Sequence, residues 1–309
     1  MSGLLTFGET MGVVSAEGIG ALDHARGFTF GIGGAESNVA IGAARLGAPV
    51  TWLGRVGDDA SGDLIARRLR AEGVAAVVIR DPSFTGLMVK HRRTGALLTV
   101  DYHRAGSAGS RLAPSDVPAD AVRAAAIVHV TGITPALSDS ARAAVFQAVE
   151  TARAAGVTVS VDVNYRAKLW SRFDAAPVLR DLVARADIVF AGPAEAALFV
   201  DGPPLDGLAA LGPAEVVVKD GARGCTALID GERHAVAAPD VAVVDPVGAG
   251  DAFVAGYLAD RLAGAQPAAR LATAIAAGAW AVTVPGDCEG LPTRADLAAL
   301  ASATDDVLR

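Results

Sequence analysis

A glycine-rich turn followed directly by an acid is the part of this sequence whose residue types and spacing suggest chemistry. Residues 245–251 read Asp-Pro-Val-Gly-Ala-Gly-Asp, and apolar residues then recur at helical spacing. The apolar run at 241–244 predicts a strand, which the proline ends. Small residues at the start of a helix leave backbone N–H groups free to bind an anion. An acid beside such an anion site suits phosphoryl transfer, because the acid can take the proton of the acceptor hydroxyl.

Asp251 also has a purely structural explanation. Acids are common in the first turn of a helix, where the positive end of the helix dipole stabilises them. The spacing alone therefore supports the catalytic and the structural interpretation to a similar degree.

The composition excludes several classes of protein. A chain of 309 residues with 52% hydrophobic residues can bury a large α/β core and is too apolar to be disordered. The net charge of −7, without a basic run, argues against nucleic acid as a partner. The sequence has no apolar run long enough for a membrane span and no signal-peptide pattern. Cys225 and Cys288 are far apart and lack metal-ligand spacing, which is typical of a cytoplasmic protein.

The elements that must position the turn follow from the alternation of strand and helix patterns. From residue 126 onwards this alternation predicts a doubly wound, mostly parallel sheet with ligands at the carboxyl ends of its strands. Strands are predicted at 4–9, 50–56, 76–80, 127–130, 157–163, 188–190, 216–219, 225–229 and 234–238. Helices are predicted from the segment 31–40 to residue 46, and at 59–71, 139–155, 174–185, 193–200, 205–211, 252–263, 268–284 and 293–301.

A second, smaller sheet is predicted from segments of another kind. Residues 86–92 and 96–102 alternate in polarity on either side of Arg-Arg-Thr-Gly, which predicts a hairpin. We expect a small β-sheet lid inserted into a single domain that covers residues 1–309. A closed lid excludes water and protects a phosphoryl donor from hydrolysis. The lid strands are predicted at about 12–16, 28–32 and within 84–104.

Two common nucleotide-binding motifs are absent from the sequence. Gly31 and Gly33 begin a Gly-x-Gly-x-x-Gly pattern, but Glu36 stands where the third glycine is needed, so the dinucleotide fingerprint fails. The chain has no Gly-x-x-x-x-Gly-Lys-Ser/Thr sequence, which excludes a P-loop kinase. The histidines are scattered without metal-ligand spacing and are interpreted as structural.

The motifs together resemble those of the PfkB (ribokinase-like) carbohydrate kinases. Residues 245–251, with Ala-Gly at 255–256, are similar to the C-terminal signature of that family. The glycine pair at 33–34, with Asn38, Gly47 and Gly57, is similar to its N-terminal signature. The branch of the family that acts on 2-keto-3-deoxygluconate commonly carries Gly-Gly-Ala-Glu at this point. This sequence is also similar to that branch in three longer segments, at 102–110, 131–137 and 162–170.

The resemblance implies roles for individual residues. Asp251 would deprotonate the acceptor hydroxyl, and Gly248, Ala249 and Gly250 would form an anion hole. The sugar acid would be bound by Gly33, Gly34, Asn38, Tyr102, Arg104, Ile133, Arg166 and Asp287. The nucleotide would be bound by Asn164, Arg166, Lys219, Gly221, Ala222, Gly224, Gly248 and Gly250.

Three positions depart from the pattern or extend it. Glu195 would help to arrange Mg²⁺ through water, but Gly192 replaces an amide residue of the family motif. Met88 stands where family members often have an aromatic residue. A monovalent cation such as K⁺ near Asp245 activates some relatives, and the sequence leaves open whether this protein uses one.

These observations predict a cytoplasmic kinase that uses ATP and Mg²⁺ to phosphorylate the terminal hydroxyl of a sugar acid, 2-keto-3-deoxygluconate or its galactonate epimer. Arg104 and Arg166 would bind the substrate carboxylate, because guanidinium groups match carboxylates bidentately. One alternative is a PfkB kinase for a neutral sugar or nucleoside, such as ribose, fructose or adenosine. Another is a non-catalytic sugar or nucleotide sensor with the same fold. The exposed edges of a small lid sheet predict at least a dimer.

Overall fold

Two β-sheets of different size organise the chain. The computed structural model describes residues 3–95 and 97–302, and in these residues one sheet has nine strands and the other has four. The strands are β1 (Leu4–Phe7), β2 (Met11–Ile19), β3 (Phe28–Gly33), β4 (Val50–Gly57), β5 (Ala75–Asp81), β6 (Leu87–Arg92), β7 (Leu98–His103), β8 (Ile127–Thr131), β9 (Thr158–Asp162), β10 (Ile188–Ala191), β11 (Glu215–Lys219), β12 (Cys225–Ile229) and β13 (Glu232–Val236).

Helices connect most strands of the larger sheet. They are α1 (Ala35–Arg45), α2 (Ala60–Ala71), α3 (Ala119–Ala124), α4 (Thr134–Leu137), α5 (Asp139–Ala154), α6 (Arg172–Val183), α7 (Pro193–Ala196), α8 (Pro204–Ala209), α9 (Ala249–Leu262), α10 (Pro267–Ala281) and α11 (Arg294–Ser302). Short 3₁₀ turns lie at Leu22–His24, Gly109–Arg111, Pro114–Asp116 and Gly221–Arg223. Within the described ranges, none of the helices is long and apolar enough to cross a membrane.

The larger sheet is doubly wound, as the sequence predicts. Its strand order is β13-β12-β11-β10-β9-β8-β1-β4-β5, and every pair from β11 to β5 is parallel. The hairpin β12–β13 adds two antiparallel strands at one edge. Asp230 and Gly231 both have positive φ at its turn, as a two-residue hairpin loop requires.

Two apolar cores lie on the two faces of this sheet because successive strand residues point to opposite sides. Leu4 packs into the core formed with α1, α9 and α10, whereas the neighbouring Leu5 packs into the core formed with α5 and α6. The helices on both faces hold the carboxyl ends of the parallel strands in fixed positions, which is where a ligand site is expected.

The smaller sheet has the order β3-β2-β6-β7, which confirms that the predicted lid segments pair with one another. Met11, Val13 and Met88 form a small buried cluster on the face of this sheet that points inwards. The predicted strand 96–102 begins at Ala96, which lies outside the described residues, and β7 begins at Leu98.

The strand predicted at 241–244 is wrong. Residues 237–248 run without strand structure from β13 to α9, and Val243 and Val244 are 64% and 45% exposed. The run pairs with neither described sheet, although β13 is an edge strand of the larger one. The end of the run is held in place by two backbone hydrogen bonds, in which the N–H groups of Val244 and Asp245 donate to the backbone oxygen of Val282.

Candidate active site

The glycine-rich turn forms the start of α9, three residues earlier than the periodicity predicts. Gly248 has φ +80°, a left-handed conformation that L side chains rarely adopt, and a Cβ atom there would collide with the backbone oxygen of Asp287. The first N–H groups of a helix have no partner within the helix, and Gly248 has no side chain with which to cap them. The turn therefore leaves backbone donors that could bind an anion, with Asp251 in the first helical turn.

Asp251 is a buried carboxyl group held by an amide. It is 9% exposed, and Asn38 Nδ2 of α1 donates to its Oδ2 at 2.8 Å. Burial raises the pKa of Asp251 to about 7, and the charge of Asp162 also raises it. The bond from Asn38 and the positive charges of Arg166 and Lys219 lower this pKa, but burial dominates. A carboxyl group with a pKa near neutrality can act as a general base at physiological pH.

A second group of charges lies at the carboxyl ends of β9 and β11. Lys219 Nζ donates to both oxygens of Asp162, at 2.8 and 2.7 Å. Glu195 accepts the N–H groups of Gly192 and Tyr165 at 2.7 and 2.9 Å. Burial raises the pKa of Glu195, and the charge of Asp162 adds to this effect. Such a pair of oxygen donors fits Mg²⁺, which carboxylates bind together with water and phosphate oxygens.

The loop predicted to approach the nucleotide follows β11. Gly221 and Gly224 have φ of +55° and +96°, and a Cβ atom on Gly224 would collide with the backbone oxygen of Val236. Ala222 lies exposed between them. Asn164, directly after β9, is buried and has φ +39°, a strained conformation that asparagine tolerates better than most residues. Both strand ends therefore carry unusual backbone conformations at positions singled out from the sequence.

Arg104 has a partner that the sequence did not predict. Its Nε donates to Oε2 of Glu9 at 2.7 Å, and Ser107 Oγ donates to the other oxygen at 2.5 Å. The Arg104 guanidinium also lies 5.5 Å from the ring centre of Tyr102. Five N–H donors are available on a guanidinium group. Arg104 therefore keeps donors for a second acceptor, although Glu9 already balances part of its charge.

Arg166 and Arg104 are not in contact with each other among the described residues. Arg166 is exposed, and its Nη1 donates to the backbone oxygen of Tyr165 at 3.3 Å. Its charge lowers the pKa of Asp251, so it lies near the candidate base. Whether both arginines bind one carboxylate remains a prediction.

Gly33 and Gly34 allow close approach at the end of β3. A Cβ atom on Gly33 would meet the Asp287 carboxylate and the end of Met88, and one on Gly34 would collide with the backbone oxygen of Glu9. The predicted substrate residue Asp287 therefore lies directly against Gly33.

Ile133 lies beside a buried acid. Thr131 and Thr134, on either side of Ile133, donate to Oε1 of Glu36 at 2.7 and 2.6 Å. Burial raises the pKa of Glu36 in spite of these two bonds. Glu36 is therefore part of a polar network with Thr131 and Thr134, next to Ile133.

Sequence reasoning did not assign Glu9, Asp162 or Lys90. Asp162 begins the segment 162–170 that the resemblance singled out, and Glu9 is the acid directly after β1. Lys90 is one of only three lysines, and it shares the inward face of β6 with Met88. The sequence pattern could have indicated Lys90, because it is a charged residue at a strand position whose side chain points to the inward face.

Comparisons with known proteins identify relatives along nearly the whole chain. A family model described as "pfkB family carbohydrate kinase" matches residues 1–294. A 2-dehydro-3-deoxygluconokinase of Bacillus subtilis is 37% identical over 310 residues, which cover 97% of this chain and 95% of the relative. A 2-dehydro-3-deoxygalactonokinase of Haloferax volcanii is 35% identical over 292 residues, which cover 92% of each chain.

The fold is also similar to that of a protein whose structure was solved with a bound nucleotide. A protein described as a ribokinase II from E. coli, solved in complex with ATP and Mg²⁺, aligns with a TM-score of 0.89 and 26% identity. The alignment covers 97% of this chain and 99% of the other.

Proposed function

Because the chain belongs to the pfkB family of carbohydrate kinases, we propose that it transfers the γ-phosphoryl group of ATP to the terminal hydroxyl of 2-keto-3-deoxygluconate, also named 2-dehydro-3-deoxygluconate. The product is the 6-phosphate. The observation that carries the proposal is Asp251, buried at the start of α9, bonded to Asn38, with its pKa raised to about 7. The names of the relatives from Bacillus subtilis and Haloferax volcanii support a sugar acid as the substrate.

In the proposed reaction, Asp251 accepts the proton of the terminal hydroxyl as its oxygen attacks the γ-phosphorus atom in line. The bond from phosphorus to the bridging oxygen of ADP breaks. The N–H groups of Gly248, Ala249 and Gly250 would stabilise the charge that develops on the transferred group. The Asn38 amide fixes the direction of the Asp251 carboxylate, so that one oxygen remains available for the hydroxyl.

The nucleotide and metal are assigned to the second group of charges. We assign Lys219, Asn164, Arg166 and the backbone of Gly221, Ala222 and Gly224 to the phosphates and base of ATP. When bound, Mg²⁺ neutralises charge on the phosphate oxygens. Glu195, with Asp162, would hold this ion, Glu195 through water.

The sugar acid would lie between the four-stranded sheet and the carboxyl ends of the parallel strands. Its carboxylate is assigned to Arg104 and Arg166, and its other groups to Gly33, Gly34, Asn38, Tyr102, Ile133 and Asp287. We propose that the four-stranded sheet acts as a lid within a single domain, and that it excludes water during the transfer. The protein is expected in the cytoplasm, as at least a dimer.

One observation favours a second candidate function. Glu9 already balances part of the charge of Arg104, and a neutral substrate would then leave no unpaired cation behind. A kinase for a neutral sugar or nucleoside, such as ribose, fructose or adenosine, therefore remains the competing proposal. Arg166, which is exposed and free to reorient, favours the sugar acid.

A coupled assay of ADP release with Mg-ATP tests the proposal. The substrates would be 2-keto-3-deoxygluconate, its galactonate epimer, gluconate, fructose, ribose and adenosine. We expect turnover with the keto-deoxy acids only. Turnover with ribose or fructose instead would remove the carboxylate-binding role of the arginines, and no ADP release with any sugar would support a sensor.

A monovalent cation near Asp245, which the sequence leaves open, does not fit the residues found there. The Asp245 carboxylate already accepts the N–H groups of Val247 and Gly286, at 3.1 and 3.3 Å, and lies 3.4 Å from the ammonium group of Lys90. No step of the proposed reaction uses such an ion.

A further inference from the structure

Lys90 is a buried cation that the proposed reaction does not use. It lies on β6 of the four-stranded sheet, and its side chain is 4% exposed. Its Nζ donates to Oδ1 of Asp287 at 2.6 Å and lies 3.4 Å from Oδ2 of Asp245. A buried ammonium group in such a place is strongly destabilising unless carboxylates pair with it, so the three side chains form one unit.

The two aspartates of this unit stand on the two sides of the glycine-rich turn. Asp245 accepts the N–H group of Val247 within the turn and that of Gly286 across it. The backbone oxygen of Asp287 occupies the place that a Cβ atom on Gly248 would need. The position of Lys90 therefore constrains the backbone of the segment that leads into the anion-binding N–H groups.

The charges around Lys90 favour its protonated form. Asp245, Asp287 and Glu289 are three acids in this region, and Arg92 is the other cation that reaches it, 3.9 Å from Asp245 Oδ1. Burial lowers the pKa of Lys90, but Asp287 and Asp245 more than offset this effect and raise it. Burial raises the pKa of Asp287, and the charge and hydrogen bond of Lys90 oppose that rise.

We propose that Lys90 is a positioning residue for phosphoryl transfer, and that its ammonium group takes the place at Asp245 that a bound monovalent cation would need. The inference rests on the proposed kinase function. An ammonium group and K⁺ carry the same charge, and both take oxygen atoms as partners. Because Lys90 belongs to the four-stranded sheet, it also ties the proposed lid to the turn that carries Asp251.

The proposal makes three predictions, one for the unmodified enzyme and two for its variants. The wild-type rate does not change when K⁺ replaces a bulky organic cation such as tetramethylammonium. Lys90→Ala and Lys90→Met lower kcat by about 10²-fold, since a shift of about 1 Å in a positioning element costs about that much. Added K⁺ or methylammonium restores a large part of the lost rate in Lys90→Ala.

The cavity beside Lys90 makes such a rescue feasible. A cleft of about 700 Å³ is lined by Lys90, Asp245, Gly286 and Asp287, among other residues. A small cation can enter from this cleft when the lysine side chain is removed. In Lys90→Met the longer side chain keeps the place filled, so added cations are expected to leave the lowered kcat of this variant unchanged.

The experiment measures kcat and KM of wild type, Lys90→Ala, Lys90→Met and a control, with each cation in turn. Arg67→Ala, an exposed cation on α2, serves as the control and is expected to match wild type. Thermal unfolding of each variant shows whether it is folded. If Lys90→Ala does not fold, Lys90→Met and the cation response of wild type still decide the question.

The outcomes separate this inference from the proposed function. Activation of the wild type by K⁺ would overturn the inference, and so would a Lys90→Ala variant with normal kcat, or one whose lost rate no cation restores. All three leave the kinase function standing. A wild type without any sugar-dependent ADP release would overturn the proposed function instead, and with it the catalytic role of Lys90.

Discussion

The pKa of the Asp251 carboxyl group depends on which kind of side chain forms a hydrogen bond with it. Glu72, which is bonded directly by Arg45, has its pKa lowered chiefly by that bond. Asp251 is bonded by the neutral amide of Asn38, so that burial remains the larger effect and raises its pKa to about 7. An amide can orient a carboxylate without removing its basicity. The carboxylate of the proposed base is therefore held in one orientation and still has a pKa high enough to accept a proton.

Asp251→Asn is expected to lower kcat by about 10²–10⁴-fold, the usual contribution of a general base. ATP affinity, measured by titration, should remain nearly unchanged, because the N–H groups of the turn are retained. Asp139→Asn is a matched control, since Asp139 is an exposed acid in the first turn of α5. Equal turnover in Asp251→Asn and wild type would leave Asp251 with its structural explanation alone.

The pH dependence of kcat/KM should show the titration of Asp251. The base must be deprotonated, so the rate is expected to rise with pH and to level off above about 7, the raised pKa of this group. Asn38→Ala removes a bond that lowers this pKa, and should therefore move the rising limb to higher pH. A rate that is constant from mildly acidic to alkaline pH would contradict the assignment.

Among the elements, the loop–helix junction before α9 combines three constraints at one point. Gly248 must adopt φ +80°, and its Cα must pass close to the backbone of Asp287. The residue at this position must also have no side chain that would bind the first N–H groups of α9. Only glycine meets all three conditions. The start of the helix is therefore set by a tertiary contact as well as by local propensity.

Gly248→Ala should be damaging in two separable ways. Forcing an alanine into the left-handed conformation costs about 1–2 kcal/mol of stability. Gly47→Ala provides the control, because Gly47 has φ +90° with no neighbouring atoms within 4 Å of a Cβ position. Both variants should unfold at lower urea concentration, but only Gly248→Ala should also lose kcat, by about 10²-fold. Equal kcat in the two variants would show that the contact with Asp287 is not important.

At the scale of the whole molecule, the two sheets present different surfaces. Both faces of the nine-stranded sheet are covered by helices, and its cores are buried. The four-stranded sheet has an outward face on which Phe28 and Phe30 are 47% and 50% exposed. Exposed aromatic side chains on a small open sheet support the expectation of at least a dimer.

Replacing Phe28 and Phe30 together by aspartate should dissociate such an assembly. Light scattering after gel filtration would give the mass of the wild type and of the variant. Phe173→Asp is the control, because Phe173 is 88% exposed and belongs to α6, not to the four-stranded sheet. A wild type that is already a monomer at all concentrations would contradict the prediction.

Local patterns in the sequence were enough to predict the parallel sheet, the small sheet and the glycine-rich turn. The alternation of strands and helices, the hairpin turn residues and the glycines express short-range preferences that act over a few residues. The resemblance added the family and the residues of the site. The run at 241–244 shows where local reasoning fails, because β propensity produces a strand only where the segment pairs with another strand.

The side-chain partners were decided by the tertiary structure alone. Asn38 and Asp251 are 213 positions apart in sequence, Lys90 and Asp287 are 197 apart, and Glu9 and Arg104 are 95 apart. Such pairs form because the order of strands brings distant segments to the same edge of the sheet. The sequence by itself therefore determined which kinds of residue are present for phosphoryl transfer. Only the fold decided that the Asn38 amide orients Asp251, that Glu9 pairs with Arg104, and that Lys90 pairs with Asp287 beside the glycine-rich turn.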